Sequence, residues 1–332
     1  MRFAIIALVA AAAFGQVNQV FQLTQHQNQQ DLQELATIIR VTGDVPNVST
    51  DDLKGTVTVE GTAGQIAAAD WLVRQLDVSA NGRSAGVHEY RPPASADDVV
   101  RVFYVTHAAS PQDLQEIVTA VRSVAEVQRL FVYNALQAVA ARGTAQQISL
   151  AAWTIEQLDR PVKAAAPEPH DYVLPGNDVA RVFDLTCPET PQQLQEIVTL
   201  IRSVGDIQRL FVNNARRAVV LRATAERVAL AAWLVSELDK PVHGQVAARD
   251  GTTAHEYRLV GDRESRVRVF YLANPRPDLR QRAVAQVRAN TGIRRLFVYN
   301  ALGALAVRGT EGQVATAEKA LEEMKAFSQA RY

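Results

Sequence analysis

Three short segments of the chain combine a histidine, an acid and a tyrosine, residue types that bind metals or transfer protons. They are His88-Glu89-Tyr90, His170-Asp171-Tyr172 and His255-Glu256-Tyr257. Histidine nitrogens and carboxylate oxygens are common metal ligands. Adjacent residues on a strand point to opposite faces, however, and no triplet supplies a second histidine at ligand spacing. The triplets therefore favour a structural role over metal binding, and no cofactor is expected.

Cys187 is the only cysteine of the 332-residue chain, so no internal disulfide bond can form. Two interpretations stay open for its thiol: a half-buried side chain in a loop, or a disulfide between two chains. The sequence shows neither the Ser/His/Asp spacing of a nucleophilic triad nor a pair of carboxylates in a pocket pattern. We therefore predict that the protein is not an enzyme.

The same peptide recurs along the chain. Residues 129–134, Arg-Leu-Phe-Val-Tyr-Asn, return with small changes at 209–214 and 295–300, and the flanking segments match as well. Phenylalanines at 21, 103, 183 and 270 mark successive units at intervals of 82, 80 and 87 residues. Such an interval corresponds to one small folded module. Four modules are predicted. Neighbouring modules should pack against one another, because each has only a small hydrophobic core of its own.

Each unit has the same order of elements, shown most clearly by the second. Residues 99–106 read as a strand, and Ser110-Pro111 begins a helix whose apolar residues recur at helical spacing. Strands at 129–133 and 138–142 follow. A second helix then opens with a capping box, repeated as Thr62/Gln65, Thr144/Gln147 and Thr310/Gln313. The predicted fold class is α+β, a tandem array of four βαββα modules.

The histidine triplets precede units two, three and four and predict an added leading strand in each. Unit one has no triplet, and it carries Val48-Ser49-Thr50-Asp51-Asp52 where the others have Leu-Phe-Val. Its middle strand is therefore expected to be short or frayed. The predicted boundaries are 16–78 for this divergent repeat, then 87–162, 169–242 and 254–328, separated by linkers rich in Gly, Ala, Ser or Pro.

Residues 1–15 read as an export signal. Arg2 supplies the basic region, Phe3 to Phe14 form the apolar core, and Ala13-Phe14-Gly15 precede Gln16 as a cleavage site. A membrane anchor is the alternative, but this apolar core falls short of the roughly 20 residues that span a bilayer. The mature chain is therefore expected to be periplasmic or secreted, without membrane insertion.

The second helices carry an aromatic residue on an unexpected face. Trp71, Trp153 and Trp233 lie nearly opposite the helix face that fills their own unit, and unit four has the polar residues Thr316 and Lys319 there. The tyrosines of the triplets occur only in units that have a predecessor. We predict that each tryptophan packs near the leading strand of the next unit, with unit four as a polar end cap. The predicted junction residues are Trp71, Tyr90, Trp153, Tyr172, Trp233 and Tyr257. The alternative is that each tryptophan covers its own unit and the units are loosely linked.

The repeat resembles the N1-type periplasmic repeat of bacterial secretins. The resemblance is carried by Val-Phe-Tyr-Val in the first strand, the Pro-x-Asp-Leu helix start, the hairpins ending in Arg142-Gly143-Thr144 and Arg308-Gly309-Thr310, and Gln157-Leu158-Asp159-Arg160-Pro161. It covers nearly all of the mature chain. It implies a KH-like fold and repeats that stack into rings and contact pilus or secretion-system proteins. The chain ends at Tyr332 without a membrane-spanning secretin domain, so channel formation is not expected.

A KH-like fold raises the possibility of single-stranded nucleic acid binding. KH modules grip the backbone through a Gly-x-x-Gly loop between helices, and no unit has such a loop between helices. The 35 basic and 35 acidic residues also balance, so no charge pattern favours nucleic acid or an anionic membrane. Two functions remain: an exported scaffold or docking module of an envelope secretion or pilus system, with protein partners and self-association into rings, or a free-standing exported structural or ligand-binding repeat protein.

Overall fold

The computed structural model describes residues 8–9, 16–26, 28–83, 86–93, 95, 97–161, 171–241, 255–259, 265–272 and 277–329. The chain divides into two compact units, Met1–Ala164 and Ala165–Tyr332. Each unit contains two of the predicted modules. The expected export signal lies outside the described residues except for Leu8–Val9, as do His170 and the predicted linkers at 164–169 and 244–253.

The first unit holds the first two modules, and their elements follow the predicted order. Module one contains β1 (Leu8–Val9), β2 (Val17–Gln22), α1 (Gln29–Val41), β3 (Asn47–Asp51), β4 (Thr56–Gly61) and α2 (Ala63–Leu76). Module two contains β5 (His88–Tyr90), β6 (Asp98–Tyr104), α3 (Pro111–Ala125), β7 (Arg129–Tyr133), β8 (Ala138–Thr144) and α4 (Ala145–Leu158).

The second unit repeats this order in modules three and four. Module three contains β9 (Tyr172–Val173), β10 (Asp178–Asp184), α5 (Pro191–Gly205), β11 (Arg209–Asn213), β12 (Ala218–Thr224) and α6 (Ala225–Leu238). Module four contains β13 (Glu256–Arg258), β14 (Ser265–Tyr271), α7 (Pro277–Thr291), β15 (Arg295–Tyr299), β16 (Ala304–Thr310) and α8 (Glu311–Gln329).

Every module folds as one antiparallel sheet with two helices. In module two the strand order is β5-β6-β8-β7, and the other three sheets follow the same order. The strand that precedes the second helix is therefore central, which explains why β8 is built from small buried residues. The marker phenylalanines share one register, since Phe21 pairs with Val57 as Phe103 pairs with Val139. The predicted fold class is confirmed.

Caps hold both helices of a module in place. The predicted capping boxes form at Thr62/Gln65, Thr144/Gln147 and Thr310/Gln313. The capping glutamine also links the two helices of a module. Gln147 Nε2 donates to the carbonyl of Glu126, 2.9 Å away, at the end of α3. Glu126 adopts a left-handed conformation with φ of 57°, and module four has Gly292 at this turn, with φ of 67°.

Two expectations for the first module are corrected. The middle strand, β3, is neither short nor frayed: all five residues pair with β4, from Asn47↔Glu60 to Asp51↔Thr56. Backbone hydrogen bonds hold this strand whatever its side chains, and Val48 and Thr50 still point inward. The first sheet also has a leading strand, β1, which pairs with β2 although it lies in the expected export signal.

An aspartate at the end of the second helix accepts hydrogen bonds from the backbone of the loop after the first long strand. Asp77 accepts from the backbone of Thr24 and Gln25, and Asp159 does the same for the loop at Thr106. In module three Asp239 accepts from the backbone N–H of Cys187 at 2.7 Å. The half-buried Cys187 thiol therefore lies in a loop that is fixed by its backbone.

Candidate functional site

The candidate site is the junction between the two modules of each unit, where one core runs through both. The first helix of the leading module packs with its inner face on its own sheet and with its outer face on the sheet of the next module. In the first unit, buried α1 residues such as Ile38 belong to the same cluster as Val100, Val102 and Ala140 of module two. The second unit repeats this arrangement between α5 and the sheet of module four.

The predicted aromatic residues meet at both junctions. The rings of Trp71 and Tyr90 are stacked, with centroids 5.8 Å apart. Those of Trp233 and Tyr257 are tilted, with centroids 5.6 Å apart. Each half-buried tryptophan thus contacts the leading strand of the module that follows it in the same unit. Trp153 lies on α4 of the first unit and Tyr172 on β9 of the second, and their pairing stays a prediction.

A glutamate of the first helix binds an asparagine of the next module. In the first unit the Glu34 carboxylate accepts from the Nδ2 of Asn134 at 2.6 Å and from its backbone N–H at 2.8 Å. In the second unit Glu196 accepts from the same two groups of Asn300 at 2.9 and 2.8 Å. A carboxylate that receives two N–H groups forms strong, directional hydrogen bonds. This pair therefore fixes the first helix relative to the turn that follows β7 or β15.

Arginines of the central strands bind the end of the same helix. Arg142 on β8 donates to the carbonyl of Thr42 at 3.5 Å, and Arg308 on β16 donates to the carbonyl of Val204 at 3.4 Å. Both carbonyls lie at the C-terminal end of a helix, where a cation is favourable. The junction is thus held at both ends of the docked helix.

A tyrosine at the end of the first long strand also crosses the junction. The Tyr104 hydroxyl donates to the Gln75 carbonyl at 2.7 Å, and the Tyr271 hydroxyl donates to the Glu237 carbonyl at 2.9 Å. Each ring packs edge to face on the histidine of the leading strand, His88 or His255. His88 and His255, the two triplet histidines among the described residues, therefore pack on aromatic rings.

Charged groups gather beside Tyr271 at the second junction. His255 Nδ1 lies 2.8 Å from Glu237 Oε2, and Lys240 Nζ lies 2.7 Å from the same oxygen. Burial opposes ionisation of Glu237, but hydrogen bonds from Lys240 and Tyr271 outweigh it and lower the pKa of the carboxyl below its usual value. Glu237 is therefore ionised at neutral pH, and its Oε2 lies within hydrogen-bond distance of Lys240 Nζ, the Tyr271 hydroxyl and His255 Nδ1.

A second tyrosine is buried at each junction. Burial, with a smaller contribution from the Glu196 charge, raises the pKa of Tyr299 to about 12. Burial likewise raises the pKa of Tyr133, which lies near Asp31, above its usual range. Both hydroxyls stay neutral at any physiological pH, so these rings act as packing groups.

Polar residues are exposed on the first sheet of module one and on the last helix of module four. On the first sheet, Asn18 and Gln22 are exposed where module two has Val100 and Tyr104, and Val20 between them is exposed as well. On α8, Lys319 and Thr316 are exposed where Trp153 and Leu150 stand in α4. The role of this helix face in module four as an end cap stays a prediction.

Sequence reasoning missed the Glu–Asn pair, although a readable signal exists. The helix position of Glu34 holds Glu116 and Glu196 in modules two and three, but Arg282 in module four. The turn position of Asn134 holds Asn214 and Asn300, but Asp52 in module one. The glutamate is present only where a module follows, and the asparagine only where one precedes. This is the same rule that identified the tryptophans and tyrosines.

Neither a metal centre nor a membrane-spanning helix is found among the described residues. Among them, no cluster of three or more His, Cys, Asp or Glu side chains is arranged to hold a metal ion. Within the same residues, no helix combines the length and apolar composition that crossing a bilayer requires.

Comparison with known proteins returns solved structures only. No family model matches the chain, and no curated protein matches it. ExeD from Aeromonas hydrophila is 16% identical over 77% of this chain and 43% of its own, with a TM-score of 0.17. The N-terminal domain of the secretin XcpQ from Pseudomonas aeruginosa is 14% identical over 47% of this chain and 70% of its own, with a TM-score of 0.19.

The secretin of the ETEC pilotin–secretin complex AspS–GspD gives a similar result. It is 14% identical over 69% of this chain and 38% of its own, with a TM-score of 0.17. The chain thus spans less than half the length of ExeD and of the GspD chain. Superpositions at these scores assign no residue roles. The solved structures that this chain resembles include secretins and a secretin N-terminal domain.

Proposed function

We propose that the chain is a periplasmic interaction module that serves as a scaffold or docking component of an envelope secretion or pilus system. The observation that carries the proposal is the junction, which is built from the same groups in both units. Two modules share one core, and a glutamate, an asparagine and a Trp–Tyr pair fix their relation. Such shared burial makes a stiff support for surfaces that bind other proteins.

The chemistry of the described residues supports a binding role over catalysis. The histidines, tyrosines and carboxylates that attract attention in the sequence are used in packing and in hydrogen bonds between modules. The sequence resemblance to secretin N1-type repeats then favours an envelope assembly as the setting.

An affinity experiment tests the proposal. The mature chain, beginning at Gln16, is immobilised and exposed to envelope extract of the source organism, and bound proteins are identified by mass spectrometry. Capture of a secretin, a pilus-assembly protein or another secretion-system component supports the proposal. A Glu34→Ala/Glu196→Ala variant, which loosens both junctions, should capture less of the same protein.

The free-standing repeat protein is the alternative, and the exposed Thr316 and Lys319 on α8, where α4 has Leu150 and Trp153, are compatible with it. If the chain is monomeric in light scattering and captures no secretion or pilus component, the scaffold role is wrong. Ring-like self-association would instead appear as a defined oligomer in the same measurement.

A further inference from the structure

The edge strand of module four differs from the corresponding edges of modules one to three. In the first three modules an arginine of the first helix covers this edge. Arg40 donates to the Val48 carbonyl at 2.6 Å, Arg122 to Leu130 at 2.7 Å and Arg202 to Leu210 at 3.4 Å. Capping an edge carbonyl in this way blocks the addition of another strand.

Module four has the equivalent arginine, Arg288, but not the cap. The equivalent carbonyl is that of Leu296 on β15, the edge strand of its sheet. Among the described residues, no side chain donates to this carbonyl, and the exposed Arg288 forms no hydrogen bond or ion pair with them. An uncapped edge strand presents backbone groups that an extended peptide can pair with.

A groove lies beside this edge. Leu194 of α5 corresponds to Arg280 on α7, whose side chain lines the groove and donates to the Asn300 carbonyl. Val298 is half-buried, whereas Val132 and Val212 at the same position are buried. The groove has a volume of about 660 Å³. Its lining comes from α5, α7 and β15 and includes Val284, Leu296, Phe297, Val298, Arg280 and Arg288.

The segment that forms α7 and leads into β15 is rich in arginine, although Arg295 is paired with Asp206 at 3.1 Å and Arg280 donates to the Asn300 carbonyl. Between residues 278 and 295 the chain has five arginines, Arg280, Arg282, Arg288, Arg294 and Arg295, and the single acid Asp278. Arg282, Arg288 and Arg294 are exposed and form no hydrogen bond or ion pair with the described residues. The acid in the groove lining, Glu196, is already bound to Asn300. The even charge balance of the whole chain hides this local excess.

We propose that this groove binds an extended, acidic segment of a partner protein by strand addition to β15. The apolar floor accepts alternate side chains of the segment, the uncapped edge pairs with its backbone, and the exposed Arg288 contacts a carboxylate. The five residues of β15 match a segment of similar length. This inference deepens the proposed function by naming the chemistry of one partner.

Peptide binding to the full mature chain tests the proposal. The probe is a fluorescein-labelled nine-residue peptide in which valine and glutamate alternate, and binding is followed by fluorescence anisotropy. Saturable binding is expected, at least tenfold tighter than for the same peptide with glutamine in place of glutamate. Arg288→Glu should weaken binding at least tenfold. Arg74→Glu, an exposed charge reversal in the other unit, should leave it unchanged.

Two further probes separate strand addition from charge attraction alone. Methylating alternate backbone nitrogens of the peptide removes its donors on one edge without altering the protein, and it should weaken binding at least tenfold. The variant Ala285→Phe fills the groove from an exposed position of its lining, so it should weaken binding at least tenfold while the thermal midpoint stays unchanged.

Several outcomes would overturn the inference. Equal binding of the acidic and neutral peptides, or of the methylated and unmethylated peptides, refutes it. Binding of phosphatidylglycerol vesicles through Arg288 without peptide binding would assign the surface to a membrane, and an Arg288-dependent dimer without peptide binding would assign it to a second copy. If peptide binding fails while envelope capture succeeds, the scaffold role stands without this groove. If the peptide binds but no envelope protein is captured, the role in secretion is wrong and the peptide-binding groove stands.

Discussion

Replacing Glu34 with alanine should uncouple modules one and two. Its carboxylate accepts from Asn134 at 2.6 and 2.8 Å, and the residue is only 9% exposed. A hydrogen bond to a charged group contributes about 1.5–3 kcal/mol, and loss of the carboxylate leaves the Asn134 donors without this partner. Because some exposure remains, we expect Glu34→Ala to lower the free energy of unfolding of the first unit by about 2–4 kcal/mol.

Trp71 provides the signal for this measurement. In a Trp153→Phe/Trp233→Phe background it is the only tryptophan, and it stacks on Tyr90 at the same junction. Urea unfolding followed by its fluorescence reports the first unit within the full chain. Glu34→Gln keeps one carbonyl acceptor and should lose about half as much. Glu60→Ala, an exposed glutamate in the same module, is the matched control and should change stability by less than about 0.5 kcal/mol.

A double-mutant cycle decides whether the loss belongs to the pair. If Glu34 and Asn134 stabilise the junction together, the double alanine variant should lose less than the sum of the single variants, by at least about 1 kcal/mol. Purely additive losses would mean that Glu34 acts within its own helix, and the junction would have to be explained by apolar packing alone.

Four further expectations follow from the structure and the sequence. Trp71→Ala and Trp233→Ala should each lower the stability of their unit by about 2–4 kcal/mol in urea unfolding, whereas Lys319→Ala should have almost no effect; equal losses at all three would refute the junction. The folded state raises the Tyr299 pKa to about 12, so its contribution to stability is complete below pH 10 and is lost as pH rises toward 12; Tyr299→Phe should flatten this part of the stability curve, and an unchanged curve would contradict the assignment. N-terminal sequencing of the exported protein should find Gln16 first, and intact Met1 on a membrane-bound protein would rule out cleavage. Residues 16–164 should fold cooperatively as a monomer, whereas 87–162 alone exposes Val100, Val102 and Phe131 and should associate or unfold at lower urea, as judged by circular dichroism and light scattering.

Much of the fold was predictable because the code for it is local. Helix caps such as Ser110 and Thr144, the apolar stripe of α3 and the small residues of β8 each act within a few residues of sequence. Four repetitions of one pattern made the element order unambiguous. The error at β3 arose from judging a strand by its side chains, whereas the backbone ladder with β4 holds it.

Only part of the junction could be predicted from the sequence. The Trp and Tyr positions were recognised because an aromatic residue on a polar helix face is conspicuous, but Glu34 and Asn134 resemble ordinary surface residues. They are separated by 100 residues, and only the packing of α1 on the sheet of module two brings them into contact. Likewise, the sequence alone determines the arginine-rich composition of α7, but not that Arg288 leaves the β15 edge uncapped. Local propensities set the elements, and burial between distant segments decides which polar groups meet.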